Sequence, residues 1–118
     1  IVEILIDSNS INQTRSAADR LWIVVDNTLA SPFCQRPLTL GADVVVESLT
    51  KAIGGFGTDL GGAVVGPASL HNPLLMYRKD FGGILAARSA WPVLVQGLPT
   101  LAVRMRQMQA TAQTVAEF

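Results

Sequence analysis

Apolar residues in this chain fall either in short uninterrupted runs or at three- and four-residue steps, and the two patterns predict different elements. Val44-Val45-Val46 is an uncharged β-branched run, the composition of a strand buried on both faces. Trp22-Ile23-Val24-Val25 reads the same way, and both runs stop at polar residues, Asp26-Asn27-Thr28 and Glu47-Ser48-Leu49-Thr50-Lys51. Between them, the stretch through Leu40-Gly41-Ala42 has room for the crossover that parallel strands need. Gly61-Gly62-Ala63-Val64-Val65-Gly66 predicts a third short buried strand, ended by Pro67. Ahead of these, Ile1 to Ile6 fits a strand and Thr14 to Leu21 a short helix. Pro92, Gly97 and Pro99 interrupt the last third, predicting a short helix over 89–98 and a long one from near Pro99, a residue suited to a first helical position. There Leu101, Met105, Met108, Ala112, Val115 and Phe118 form one apolar stripe. No repeat, low-complexity tract or linker divides the chain, which reads as one α/β unit.

The chemistry-bearing residues gather where the two main runs end. Ligands of open α/β sheets collect at the carboxyl ends of the strands, so parallel neighbours would project Asp26 and the Ser48/Thr50/Lys51 group into one crevice. Partial desolvation favours a neutral lysine amine, which can form a Schiff base with a carbonyl. Ser48 and Thr50 place hydroxyls on one side of an extended segment, and the glycines of Ile53-Gly54-Gly55-Phe56-Gly57-Thr58 offer backbone N–H groups to an anion. An ionised acid at a strand end can keep a pyridinium nitrogen protonated. Aldehyde, phosphate and ring nitrogen are the three handles of pyridoxal phosphate. Each piece also has a plainer reading: Ser-x-Thr-Lys as a solvated strand end, Asp26 as a loop cap.

The residues resemble the Cys/Met-metabolism pyridoxal-phosphate enzymes, a family that includes cystathionine γ-synthase, cystathionine γ-lyase, methionine γ-lyase and the O-acylhomoserine sulfhydrylases. The resemblance covers about 22–118. It is carried by Val25-Asp26-Asn27-Thr28, Gln35-Arg36-Pro37-Leu38, Gly41-Ala42-Asp43-Val44-Val45-Val46, Ser48-Leu49-Thr50-Lys51, Gly54-Gly55, Gly61-Gly62 and Gly97-Leu98-Pro99-Thr100-Leu101-Ala102-Val103-Arg104-Met105. It implies part of a fold-type-I large domain, a mostly parallel sheet with flanking helices. Residues 1–98 would be the sheet region with the cofactor lysine, and 99–118 a long helix leading toward a C-terminal domain. It also implies that Lys51 forms the internal aldimine and moves protons, that Asp26 pairs with the ring nitrogen, that Ser48 and Thr50 hold the phosphate, and that Thr28 lies close to the ring. The implied reaction is γ-replacement or γ-elimination on homoserine esters, cystathionine or methionine, in a cytoplasmic homo-oligomer built as a dimer of dimers.

Three positions depart from the family pattern: Ala52 stands where an aromatic is usual, Phe56 where many members have His, and Ala86-Ala87 where Ser-Pro is frequent. Family members are several times longer than 118 residues, so the chain is read as a fragment of the large domain. The alternative function is therefore a truncated piece or interaction module that keeps the motif without a complete site. The ring-stacking aromatic and the arginine for the substrate carboxylate would lie outside it.

Composition narrows the remaining classes. Lys plus Arg and Asp plus Glu both number 9, so no cationic field points to nucleic acid or anionic lipid. No apolar run approaches the roughly 20 residues of a membrane span. Gly55-Phe56-Gly57-Thr58-Asp59-Leu60 lacks the third glycine of a dinucleotide fingerprint, and no glycine directly precedes Lys51 as a phosphate-binding loop requires. No metal-ligand set is visible: His71, the one histidine, is read as structural, at the start of a surface helix. Cys34 is expected to pack as a small buried hydrophobe rather than act as a thiol. Arg104 and Arg106 are placed on a helix surface near a subunit contact, with carboxylate binding as the other option.

Overall fold

The computed structural model describes residues 10–118. The expected strand over Ile1 to Ile6 lies outside them. Three strands, β1 (Val24–Asp26), β2 (Val44–Ser48) and β3 (Gly62–Val65), form one sheet in that order. β1 and β2 are parallel, with Val24 opposite Val44 and Asp26 opposite Val46. β3 runs antiparallel to β2, with Ser48 opposite Gly62, so the small sheet is mixed, with one parallel and one antiparallel pair. The physical reason lies in residues 49–61, which turn back at one end of the sheet with no crossover over its face.

Helices and turns fill the connections. The crossover between β1 and β2 holds α1 (Ser31–Cys34) and a 3-10 turn at Pro37–Leu40. Gly41 ends that turn in the left-handed region, at φ 101°, which glycine adopts without a Cβ penalty. After β3 come α2 (His71–Phe81), α3 (Ala87–Pro92) and α4 (Leu98–Glu117). His71 does open its helix.

The central strand matches its sequence pattern: Val44, Val45 and Glu47 are buried. Its neighbours do not. Trp22 is exposed and precedes β1, because the Ile23 N–H turns to the Asp43 carboxylate (2.9 Å) instead of a strand partner. β3, expected to be buried, leaves Val64 and Val65 about half exposed, at 47% and 48%. It is the edge of the sheet among the described residues, and no layer there covers its outer face. The helix expected over Thr14 to Leu21 is absent, a helical turn occupying only 10–13. Side chains of that segment bond locally instead: the Ser16 hydroxyl donates to Asp19 (2.6 Å), and the Asn12 amide exchanges two bonds with the Leu21 backbone, the competition that disfavours helix for these residue types.

Pro92, Gly97 and Pro99 do not interrupt the last third either. Pro92, Val93, Gly97 and Leu98 all keep right-handed helical angles, and a π turn at Val93–Gly97 joins α3 to α4. A widened turn drops the bond that a proline nitrogen cannot donate and lets the helical path continue.

Two apolar clusters hold the chain together. Ile23 and Ala42 pack with Val25 under β1; Ile53, Leu101 and Met105 pack with Phe33, Leu49, Ala52 and Val93. The second binds α4 to the segment after Lys51. Each fully buried side chain of this size contributes about 1.5–3 kcal/mol. Of the predicted α4 stripe, only Leu101 and Met105 are buried; Met108, Val115 and Phe118 face outward.

Candidate functional site

Parallel pairing in this register puts the carboxyl ends of β1 and β2 side by side. Asp26 ends β1, Ser48 ends β2, and Lys51 follows three residues later. Thr28 ties the strand ends together. Its N–H donates to Asp26 Oδ1 (3.0 Å), and its hydroxyl accepts from the Ser48 N–H (2.9 Å). The Asp26 carboxylate is exposed, and its pKa is lowered by the Thr28 side chain first and the Thr28 N–H second, against a small opposing effect of desolvation. It is thus held as an anion at neutral pH.

Lys51 sits in a π turn, Leu49–Ile53, whose helical path it breaks with φ −93° and ψ −130°. Its side chain is exposed, and among the described residues no hydrogen bond or ion pair joins it to Asp26. Ser48 is half-buried beside Thr28. Thr50 is committed differently: its hydroxyl accepts from the Gly61 N–H (3.1 Å) and donates, at 3.4 Å, to the Gly61 carbonyl. Two of the backbone N–H groups expected to serve one do not. Gly54 N–H bonds Leu49 O (2.9 Å) and Gly55 N–H bonds Lys51 O (2.8 Å), because the π turn closes on itself.

Other polar residues lie near these strand ends, some with no role or a different one in the sequence reading. Asn27 and Glu47 are almost fully buried, at 2% and 5%, and Asn27 Nδ2 donates to Glu47 Oε1 (2.7 Å) and to Gln35 O (3.0 Å). The signal was in the register: with Asp26 opposite Val46, positions 27 and 47 are neighbours. Arg104 is half-buried against the Lys51 turn rather than free on a helix surface, whereas Arg106 lies over the Phe33 ring, 5.8 Å from its centroid. Cys34, expected to be buried, is exposed, with Gln109 Nε2 3.4 Å from its sulfur; it ends the short α1, where the chain turns toward solvent. A cavity of about 720 Å³ lies away from these groups, along β3 and α2, between Val64, Pro67, His71 and Tyr77. At the strand ends Asp26 and Lys51 are open to solvent.

Residues 2–118 match the family described as Cys/Met metabolism PLP-dependent enzyme. The chain belongs to that family. It is 41% identical over 107 residues to a probable cystathionine γ-synthase of Herpetosiphon aurantiacus, covering 89% of this chain and 33% of the relative. With an O-succinylhomoserine sulfhydrylase of Mycobacterium tuberculosis it shares 40% over 115 residues, 97% of this chain and 28% of that one. Its fold is similar to that of cystathionine γ-synthase from Xanthomonas oryzae pv. oryzae, solved in complex with aminoacrylate and cysteine, with a TM-score of 0.83 at 35% identity over 98% of this chain and 28% of the other. The chain thus spans about a quarter to a third of the length of such members of the Cys/Met-metabolism family. Pyridoxal phosphate is the family's cofactor. The strand ends suit it: an exposed anionic Asp26, a lysine amine with no hydrogen bond or ion pair among the described residues and the Ser48 hydroxyl stand close in sequence to the paired ends.

Proposed function

We propose that these residues are the cofactor-lysine segment of a pyridoxal-phosphate enzyme of sulfur amino-acid metabolism, acting on homoserine esters, cystathionine or methionine by γ-replacement or γ-elimination. The carrying observation is the parallel β1/β2 register with its Thr28 bridge, which sets Asp26 and the Ser48-to-Lys51 stretch at one edge of the sheet. When bound, the cofactor supplies an electron sink for carbanions at the substrate. In this reading Lys51 holds the cofactor through its amine and then carries protons as a base. Asp26 keeps the ring nitrogen protonated, Thr28 fixes the Asp26 carboxylate close to the ring, and Ser48 with Thr50, once its hydroxyl turns from the Gly61 carbonyl, binds the phosphate. The reading extends to a cytoplasmic homo-oligomer, a dimer of dimers, and to a large domain whose long helix leads on to a further domain.

One observation favours the other reading, a segment without turnover of its own. Arg104 directs its guanidinium at backbone carbonyls and Arg106 lies over Phe33, so neither is presented to a substrate carboxylate. The direct test is to add pyridoxal phosphate and follow the visible absorbance of the lysine-bound form. Lys51→Ala should abolish the band; a band that survives the substitution removes Lys51 from the role.

A further inference from the structure

Arg104 lies on α4, about 50 residues beyond Lys51 in sequence (51 and 52 separate it from Ile53 and Ala52), yet its guanidinium is built into the lysine turn. Nη1 donates to Ala52 O (2.7 Å), Nη2 to Gly97 O (2.7 Å) and more weakly to Ile53 O (3.3 Å), and Nε to Thr100 Oγ1 (3.0 Å). The Phe56 ring covers it, with Cζ 5.6 Å from the centroid. Gly55 makes the room: a Cβ there would lie 2.3 Å from Nη1, at a φ of +77° that already favours glycine. One planar fork therefore clamps the two carbonyls that directly follow Lys51 to the helix start at Gly97, which a single ammonium could not span.

We infer that Arg104 is a positioning residue for Lys51: it fixes the main chain on the C-terminal side of the lysine, so that a long side chain with no partner among the described residues starts from a rigid anchor. The opposite side is held separately, by the Leu49 N–H to Gly61 O bond (2.9 Å) and by Thr50 on Gly61. The inference rests on the reading of Lys51 as the cofactor lysine. Holding a reacting group in place raises its effective concentration toward its partner, and here that quantity is open to direct measurement.

Methylamine competes with Lys51 for the aldehyde of pyridoxal phosphate. The cofactor-loaded protein is titrated with methylamine, reduced with borohydride and digested, and the label retained on the peptide containing Lys51 is measured by mass. In Arg104→Met the methylamine concentration that displaces half of the label should fall about tenfold, a modest part of the effective molarity that fixed geometry can supply. Arg104→Lys should fall between the two, since it can serve one carbonyl at a time. A midpoint unmoved in Arg104→Met overturns the inference, whatever happens to its melting temperature. If that variant does not fold, Arg104→Lys and Phe56→Leu decide by the same criterion, and unmoved midpoints in both overturn it. Label that never appears on Lys51 in the unsubstituted protein defeats the Lys51 reading itself; label on Lys51 with an unmoved midpoint defeats only the role of Arg104.

Discussion

Thr28 shows how much one short side chain can organise. Its N–H donates to the Asp26 carboxylate, its side chain is the main influence lowering the Asp26 pKa, and its hydroxyl accepts from the Ser48 N–H of the neighbouring strand. A hydroxyl both donates and accepts, so a single group stabilises the anion at one strand end and fixes the spacing to the other. Asp43 plays a comparable structural part at the opposite end of the same strands. It pairs with Arg20 (2.6 Å) and accepts from the Ile23 N–H. Burial acts to raise the Asp43 pKa, and the Arg20 guanidinium with the Ile23 N–H outweighs it, leaving the pKa below 3.8. A carboxylate whose folded pKa is depressed contributes stability that is fully present above its unfolded pKa and disappears as pH falls through the folded one. Asp43→Asn should therefore cost about 0.5–1 kcal/mol at pH 7, discounted because the Arg20 side chain is 42% exposed. Denaturant titrations should show that cost unchanged down to roughly pH 4–5 and vanishing below the folded pKa. A cost that instead grew as the pH fell would contradict the assigned sign.

At the scale of elements, the lysine turn and the start of α4 form one unit, and Gly97 is its tightest point. A Cβ at Gly97 would stand 2.4 Å from Ile53 O and 3.0 Å from Gly54 O, both backbone atoms that cannot swing aside. The close approach lets Ile53 pack on Leu101 and Met105 and lets Arg104 reach Gly97 O. Gly97→Ala should destabilise the protein by about 1–3 kcal/mol, the usual cost of overpacking a filled site. It should also weaken cofactor retention more than an alanine at the exposed Gly83 does, where nothing lies within 4 Å of the added Cβ. Equal effects of the two, in thermal melts and cofactor release, would show that the contact is relaxed in solution. The same unit explains why the proline pattern misled the boundaries. Periodicity and proline positions marked helical material over 89–118 correctly, but whether a proline ends a helix depends on whether a π turn can absorb it, and packing of Val93 against the Ile53, Leu101 and Met105 cluster decides that.

For the molecule as a whole, the radius of gyration is 16.9 Å, against about 13.5 Å for a compact domain of this length. The dimensions are 48 × 42 × 19 Å, a flattened outline whose faces expose large apolar side chains such as Leu29 at 93% and Phe81 at 79%. With Asp26 and Lys51 exposed, the strand ends do not exclude water from a reacting centre. The isolated 118 residues supplied with pyridoxal phosphate should therefore show negligible γ-elimination or γ-replacement on cystathionine, methionine or homoserine esters, measured as ketoacid or thioether product. Robust turnover would overturn this. The buried core of β2, the parallel β1 beside it, the carboxyl-end placement of Asp26, Ser48 and Lys51, and the long terminal helix were legible in the sequence, because they rest on local composition and period. Membership of the family was legible too, through the order and spacing of its motifs. Tertiary structure alone decided the rest. The antiparallel course of β3, the burial of Asn27 with Glu47, the closing of the Gly54 and Gly55 amides, and the grip of Arg104 on the lysine turn all depend on which distant segments meet. A side chain's hydrogen-bonding partners are set by that meeting, whereas its period along the chain is not.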